Sequence, residues 1–196
     1  MMNPEEHYYH TKESVEEYMK AAEGFNGQKL IDKLINFLPK ESVLLELGSG
    51  PGKDLEILSR KYTVIGSDFS KEFLQHLKAT HPQGEFLELN AIDLNTEKTF
   101  DGIYSNKVLH HLSDEELRDS FERQYKILNE GGIICHSFWK GEGSEFFKGM
   151  FVNYHHEESL KEFFNDYFEI LSLDTYGEFA EGDSMVLYAK KLSVSK

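Results

Sequence analysis

From residue 43 onward the chain alternates short apolar runs with segments of helical period. The runs at 43–47, 62–67, 85–89, 100–105 and 132–138 have the length and composition of buried strands. Between them, Ser70 can cap a helix that carries Phe73, Leu74 and Leu77 and that Pro82 closes. Ser113 and Glu116 have capping-box spacing and open a second helix with Leu117, Phe121, Tyr125 and Leu128 on one stripe; Gly131 and Gly132 stop it. Such alternation predicts right-handed βαβ units around a mostly parallel sheet, an α/β fold of the doubly wound type.

Both ends add to this unit. Ahead of it, Ser14 and Glu17 also have capping-box spacing, and Leu30, Ile31, Leu34, Ile35 and Leu38 recur at helical period until Pro39, so two N-terminal helices are expected. Behind it, Lys140 to Ser144 has the composition of a connector and no apolar period, which predicts a mobile loop. A helix from about His156 to Asn165 follows. The runs Tyr167 to Thr175 and Ser184 to Lys191, separated by Gly177 and Gly182, read as a hairpin that adds an antiparallel strand. The 196 residues suit one domain: an N-terminal helical part over 1–40, a core over 41–138, and a segment with the last two strands over 139–196.

Charge narrows the function. Asp and Glu outnumber Lys and Arg by 35 to 21, a formal net charge of −14, which opposes the counterion release that drives binding to phosphate backbones. Nucleic acid is therefore not the expected partner. No apolar run approaches the roughly 20 residues that cross a bilayer, and the N-terminus lacks a signal-peptide pattern, so a cytoplasmic protein with no membrane partner is expected. Cys135 is the only cysteine; it excludes an intrachain disulfide or a thiolate metal cluster and reads as core. Metal binding by His110 and His111 is not expected, because neighbours on a helix point in different directions.

The chemistry concentrates in Val43–Lys53, where an apolar run stops at Glu46 and Gly48, Gly50 and Gly52 follow. Glycine accepts positive φ cheaply and lets a ligand approach the backbone, so this turn is shaped for a nucleotide-like molecule. A dinucleotide fingerprint would need its third glycine at position 53, which is Lys53. In an open α/β sheet the ligand lies beyond the carboxyl ends of the strands. Those ends carry Asp68, whose two oxygens match a ribose diol; Asn90, Ala91 and Ile92, which suit an adenine edge and face; and Ser105, Asn106 and Lys107, followed by His110 and His111.

With these residues in place, the stretch from about Leu30 to Lys190 resembles the class I S-adenosylmethionine-dependent methyltransferases, in their small-molecule, type 11-like group. The resemblance rests on Leu-Glu-Leu-Gly-Ser-Gly-Pro-Gly, Val-Ile-Gly-Ser-Asp-Phe-Ser, Phe-Asp-Gly-Ile-Tyr-Ser-Asn-Lys-Val-Leu-His-His-Leu and Ile-Leu-Asn-Glu-Gly-Gly-Ile-Ile, in that order. It implies a Rossmann-like, seven-stranded sheet with S-adenosyl-L-methionine as cofactor and S-adenosyl-L-homocysteine as product. It also implies that Glu46 helps fix the methionine amino group, that Gly48, Ser49 and Gly50 pass beneath the cofactor, and that Asp68 holds the ribose. Phe69 would lie against the adenine and Asn90, where the family more often has Asp, near its amine, with Ala91 and Ile92 beside it. Asn106 would adjoin the methionine portion and the transferable methyl. The N-terminal helices would cover the pocket, with Tyr8, Tyr9 and Tyr18 as lid candidates.

The function that follows is methyl transfer to a small-molecule acceptor by in-line displacement. The methyl group arrives activated, so positioning and exclusion of water carry most of the work and no catalytic dyad is required. If a base acts, His111 comes first and His155 second, since an unperturbed imidazole titrates near neutral pH. Packing or a helix start accounts for these histidines equally well. Two alternatives stay open: a protein that binds the cofactor without turnover, and an NAD(P)-dependent oxidoreductase, which Lys53 disfavours. Either a monomer or a homodimer is compatible with the sequence.

Overall fold

A computed structural model describes residues 11–193. In chain order its elements are α1 (Lys12–Ala21), α2 (Gln28–Leu34), β1 (Val43–Leu47), α3 (Lys53–Leu58), β2 (Thr63–Asp68), α4 (Lys71–Thr80), β3 (Glu85–Glu88) and β4 (Phe100–Asn106). A 3-10 turn, Leu109–His111, leads to α5 (Asp114–Ile127), β5 (Leu128–Trp139), β6 (Ser144–Phe147), β7 (Met150–Asn153), α6 (Glu157–Phe164), β8 (Phe168–Tyr176) and β9 (Ser184–Lys191). Seven strands form one sheet in the order β3-β2-β1-β4-β5-β9-β8. The first five run parallel, and β9 is antiparallel to both neighbours. This is the expected Rossmann-like α/β sheet with its antiparallel C-terminal strand.

Both faces of the sheet are buried, and side-chain alternation divides the core in two. Leu45, Ile103, Ile134 and Leu187 point to the face covered by α5 and α6, where Leu117, Phe121, Leu160 and Phe164 meet them. Their chain neighbours Leu44, Tyr104, Cys135 and Tyr188 point to the opposite face, against Leu30, Ile31, Leu34 and Leu58 of α2 and α3. This two-sided burial explains why the strands read as continuous apolar runs. Cys135 is buried, as expected, and burial pushes its thiol well above the ordinary range.

Several local expectations need correction. Ser14 does not cap α1; Thr11 does, its hydroxyl accepting from the Ser14 backbone N–H, so the helix starts earlier than the Ser14–Glu17 spacing suggested. Gly131 and Gly132 do not stop α5. That helix ends at Ile127, and the glycines lie inside β5, Gly131 at φ +75°, beside an irregularity of register against β4. The expected mobile loop at 140–144 leads straight into a hairpin of β6 and β7, whose tip residue Lys148 pairs with Glu17 of α1. The two remaining caps are as read: Ser70 begins α4, and Ser113 with Glu116 forms a capping box on α5.

A buried polar chain fixes the ends of β3, β4 and β5 relative to α5. The Ser105 hydroxyl lies 2.8 Å from His136 Nδ1, His136 Nε2 lies 2.7 Å from Gln124 Oε1, and Gln124 Nε2 donates to Ser120 Oγ at 3.1 Å. Ser120 in turn donates to the Ala91 carbonyl at 2.6 Å. An amide oxygen only accepts, so His136 donates from Nε2 and its Nδ1 accepts from Ser105. The ring is neutral, and burial brings its pKa down to about 3.

Two stability measurements follow. Gln124→Ala leaves His136 Nε2–H without an acceptor and opens a cavity, so urea unfolding is expected to show a loss of about 2–4 kcal/mol; a loss under 1 kcal/mol would remove the chain's structural role. The unfolded state takes up a proton on His136 below about pH 6.5, whereas the folded state does so only near pH 3. Stability contributed by this residue is therefore complete above pH 6.5 and declines as pH falls, by about 2 kcal/mol between pH 6.5 and pH 5. His136→Asn should lose that part of the slope.

Candidate functional site

Chain order reverses between β1 and β4, because β2 and β3 build outward on one side and β5 on the other. The loops leaving β1 and β4 therefore diverge, and an open cleft of about 600 Å³ lies between them. Tyr18, Glu46, Gly48, Ser49, Gly50, Asp54, Asn106, Lys107 and Glu178 line it, together with Phe25. Six of the residues expected from the sequence are in this group.

The glycine turn divides its tasks. Gly48, at φ +64°, passes so close to Val108 that a Cβ would stand 2.6 Å from Val108 Cγ2. Gly52, at φ +84°, caps α3 and packs against α4, where a Cβ would meet Leu77 Cδ2 at 2.9 Å. Gly50, at φ +48°, is different: its Cβ would find no atom nearer than 3.9 Å. Gly50 is thus the turn's open point, where a ligand can lie against bare backbone.

Two expected carboxyls flank this point. Glu46 is 2 % exposed, and its Oε2 accepts from Ser49 Oγ at 2.6 Å. Ser49 Oγ itself accepts from the Ser67 backbone N–H, and Ser67 Oγ donates to the Glu46 carbonyl, so the acid sits in a fixed frame between β1 and β2. Burial and the nearby Asp54, with a smaller push from Asp68, raise the Glu46 pKa to about 8 against the opposing Ser49 hydrogen bond. Asp68 accepts from Gly50 N–H at 2.9 Å and Ser70 N–H at 2.8 Å. Burial holds its carboxyl above the usual range, and those backbone donors oppose the shift. Phe69 next to it is 41 % exposed.

The remaining expected residues are placed less directly. Asn90 folds its side chain back, Oδ1 accepting from the Ile92 N–H at 2.8 Å, and Ala91 is anchored by Ser120 while Ile92 packs on the core. Asn106 donates to Asp54 Oδ2 at 3.0 Å and accepts from Ser137 Oγ at 2.6 Å. Tyr18 of α1 stands edge-on to Phe73 at 5.8 Å, and burial with the charges of Asp68, Asp54 and Glu178 raises its pKa. Tyr8 and Tyr9 lie outside the described residues.

The histidines separate. His111 Nδ1 is 2.7 Å from the Phe151 carbonyl, which only accepts, so Nδ1 carries the hydrogen. The His110 ring is 4.0 Å from that of His111; it is buried, its pKa is held well below 6.5 by burial, and Nδ1 finds no hydrogen-bond partner among the described residues. His155 is not at the cleft wall. It is 2 % exposed, its ring edge-on to Phe138 and Phe163.

Sequence reasoning missed Asp54 and Glu178, and it named Lys107 without giving it a role. Asp54, in the first turn of α3, gathers Gly27 N–H at 2.6 Å, Tyr104 OH at 2.7 Å and Asn106 Nδ2, tying the N-terminal helices, the glycine turn and β4 to one carboxylate. Its signal was present, an acid two residues past the last glycine. Lys107 adopts φ +55° and turns its Nζ toward Ser184 Oγ at 2.7 Å, the Phe138 carbonyl at 3.3 Å and Glu178 Oε2 at 3.3 Å, with the Trp139 ring centroid 3.1 Å away. Burial lowers the Lys107 pKa to about 8 against the opposing pull of Glu178. Glu178 itself comes from the β8–β9 loop, 132 positions after Glu46 in sequence, and no local pattern announces it.

Residues 44–132 match the family model of a methyltransferase domain. An uncharacterised methyltransferase of Alkaliphilus oremlandii is 30 % identical over 96 residues, 48 % of this chain and 44 % of that protein. A trans-aconitate 2-methyltransferase of Variovorax paradoxus is 30 % identical over 105 residues, 50 % of this chain and 39 % of that protein. The chain thus matches about two fifths of the length of these relatives. Among solved structures, a 1,6-didemethyltoxoflavin N1-methyltransferase of Burkholderia thailandensis, with its substrate and S-adenosylhomocysteine bound, superposes with a TM-score of 0.77 at 18 % identity, over 92 % of this chain and 85 % of that one. A SAM-dependent methyltransferase of Methanosarcina mazei gives 0.74 at 20 % identity, over 82 % and 97 %. Residues 44–132 thus match a methyltransferase-domain model, and the chain around them has the fold of these solved S-adenosylmethionine-dependent methyltransferases.

Proposed function

We propose that this protein transfers a methyl group from S-adenosyl-L-methionine to a small-molecule acceptor. One observation carries the reading: the open backbone of Gly50 lies between two framed carboxyls, Glu46 and Asp68, at the switch point of the sheet. A carboxylate fits each end of an adenosyl amino acid, pairing with the ammonium at Glu46 and with the ribose diol at Asp68. The donor set fits the cofactor. In this reading Gly48, Ser49 and Asn106 line the amino-acid portion, Phe69, Asn90, Ala91 and Ile92 the adenine side, and Tyr18 the cover. The third-glycine position of a dinucleotide fingerprint is Lys53, on α3, and Gly52 serves packing against α4, which supports this cofactor over a nicotinamide one.

The cofactor supplies an activated methyl group. The chain's residues hold the partners in line and keep water out; α1 with its Tyr18 forms a wall suited to that, and the Lys148–Glu17 pair ties this helix to the β6–β7 hairpin. His111, fixed as the Nδ1–H tautomer by Phe151, is the first candidate base, with Nε2 as the proton acceptor. His155, set between Phe138 and Phe163, is the second and would need the acceptor to reach further in. The acidic balance and single cysteine support a cytoplasmic enzyme, monomer or homodimer, with no nucleic-acid partner.

Calorimetric titration with S-adenosylhomocysteine tests the reading, and absence of binding at high concentration would overturn it. Asp68→Ala should weaken binding by about 1–3 kcal/mol through the lost charged hydrogen bonds; unchanged affinity would reassign the ribose site. Glu46 supplies an independent signature. With its pKa raised to about 8 it is mostly protonated at pH 6.5, and an ammonium placed against it favours the ionised form. Binding at pH 6.5 should therefore release about one proton, read from the dependence of the heat on buffer ionisation enthalpy, and release should vanish at pH 9.5 and in Glu46→Gln.

A further inference from the structure

We propose that the acceptor is an amine carried on an apolar, ring-sized body, its cationic nitrogen set against Glu178 and its body laid on Phe25 and Phe179, beside Trp139. This deepens the methyltransferase reading and rests on it. Glu46, Asp54 and Asp68 surround the glycine turn and belong to the cofactor end. Glu178 enters the same cleft from the β8–β9 loop, on the side of Lys107 and the end of β4.

The loop that presents Glu178 is built in advance. Asp183 accepts from the backbone N–H groups of Glu178, Phe179 and Ala180, each at 2.9 Å, and from Ser184 Oγ at 2.8 Å. Phe179, next to Glu178, stacks on Trp139 at 5.6 Å with 24° between the rings, and meets Phe25 at 4.9 Å. Phe179 is 69 % exposed and Phe25 42 %, so a row of aromatic surface faces outward at the mouth of the cleft beside a carboxylate. A carboxylate next to aromatic faces is the chemistry that recognises an ammonium.

The chain supplies its own example. Lys107 places an ammonium 3.1 Å from the centre of the Trp139 ring and 3.3 Å from Glu178. The same lysine argues against an anionic acceptor. Its donors are directed at Ser184, Phe138 and Glu178, and the cleft's other lysine, Lys53, stands at the glycine turn. A carboxylate acceptor would thus enter a cleft that already holds Glu46, Asp54 and Glu178, with no lysine free on its own side.

Trp139 is the only tryptophan, so its fluorescence reports this surface directly. The protein saturated with S-adenosylhomocysteine should be titrated with phenethylamine and with hydrocinnamate, which share a ring and chain and differ in charge. The amine is expected to quench Trp139 and bind at least about tenfold tighter than the acid. Glu178→Gln should abolish that preference while calorimetric affinity for S-adenosylhomocysteine stays unchanged, and Phe179→Ala should weaken the amine with the cofactor site intact. The proposal is overturned if hydrocinnamate binds as tightly, if neither compound perturbs Trp139, or if Glu178→Gln keeps the preference. Failure of S-adenosylhomocysteine to bind would instead sink the methyltransferase reading on which it stands.

Discussion

Carboxyl groups held out of water around one glycine turn are the constraint on which the rest of this structure depends. Burial raises the pKa of Glu46 and of Asp68, and at Glu46 the charges of Asp54 and Asp68 add to the shift. Neutral donors offset that cost: Ser49 for Glu46, the Gly27 N–H, Tyr104 OH and Asn106 amide for Asp54, and two backbone N–H groups for Asp68. No lysine or arginine pairs with any of the three among the described ion pairs. The site is left with an unmet demand for positive charge, which a sulfonium bearing an α-ammonium answers and which a pyrophosphate would aggravate.

Asp54 shows how the same demand shapes the fold. Its two oxygens bridge the turn before α2, the core tyrosine of β4 and the asparagine at the strand's end. Tyr188 of β9 donates to the Leu30 carbonyl at 3.0 Å, and Lys33 pairs with Asp174 of β8, so α2 is tied to the far edge of the sheet as well. The N-terminal helices are therefore parts of the cleft wall and of the core at once. A change in the position of α2 would be felt at Asp54.

Most of the sheet was legible because both faces of its central strands are buried, so β1, β4, β5 and β9 appear as apolar runs, and βαβ handedness leaves few ways to connect such runs. The glycine turn, Glu46 and Asp68 were legible for a related reason: positive φ and strand-end acids leave local signatures. The errors arose where long-range pairing overrode local cues. Gly131 and Gly132 look like a helix stop, yet β5 already begins at Leu128, paired with Phe100, and the glycines fall in the irregularity before pairing with β4 and β9 takes hold at Ile133. The 140–144 connector hides a hairpin because β6 is exposed along its length and shows no alternation. Glu178 was out of reach, since only the pairing of β5 with β9 brings its loop beside the end of β5.

Lys107 joins these levels. A left-handed conformation costs a β-carbon residue on the order of 1–2 kcal/mol, and it persists where the surroundings determine it. Here Ser137 Oγ accepts from the Lys107 N–H at 2.9 Å while donating to Asn106 Oδ1, so β5 fixes the backbone at the point where β4 ends. The turn that results sets Val108 against Gly48, in the space a side chain on that glycine would need. It also sends the lysine back under Trp139 to Glu178 and Ser184, at the start of β9. One strained residue thus couples the shape of the glycine turn at one end of the cleft to the charge of the aromatic wall at the other. A glycine at position 107 would relieve the backbone and remove the ammonium, so the strain is retained for what the side chain does.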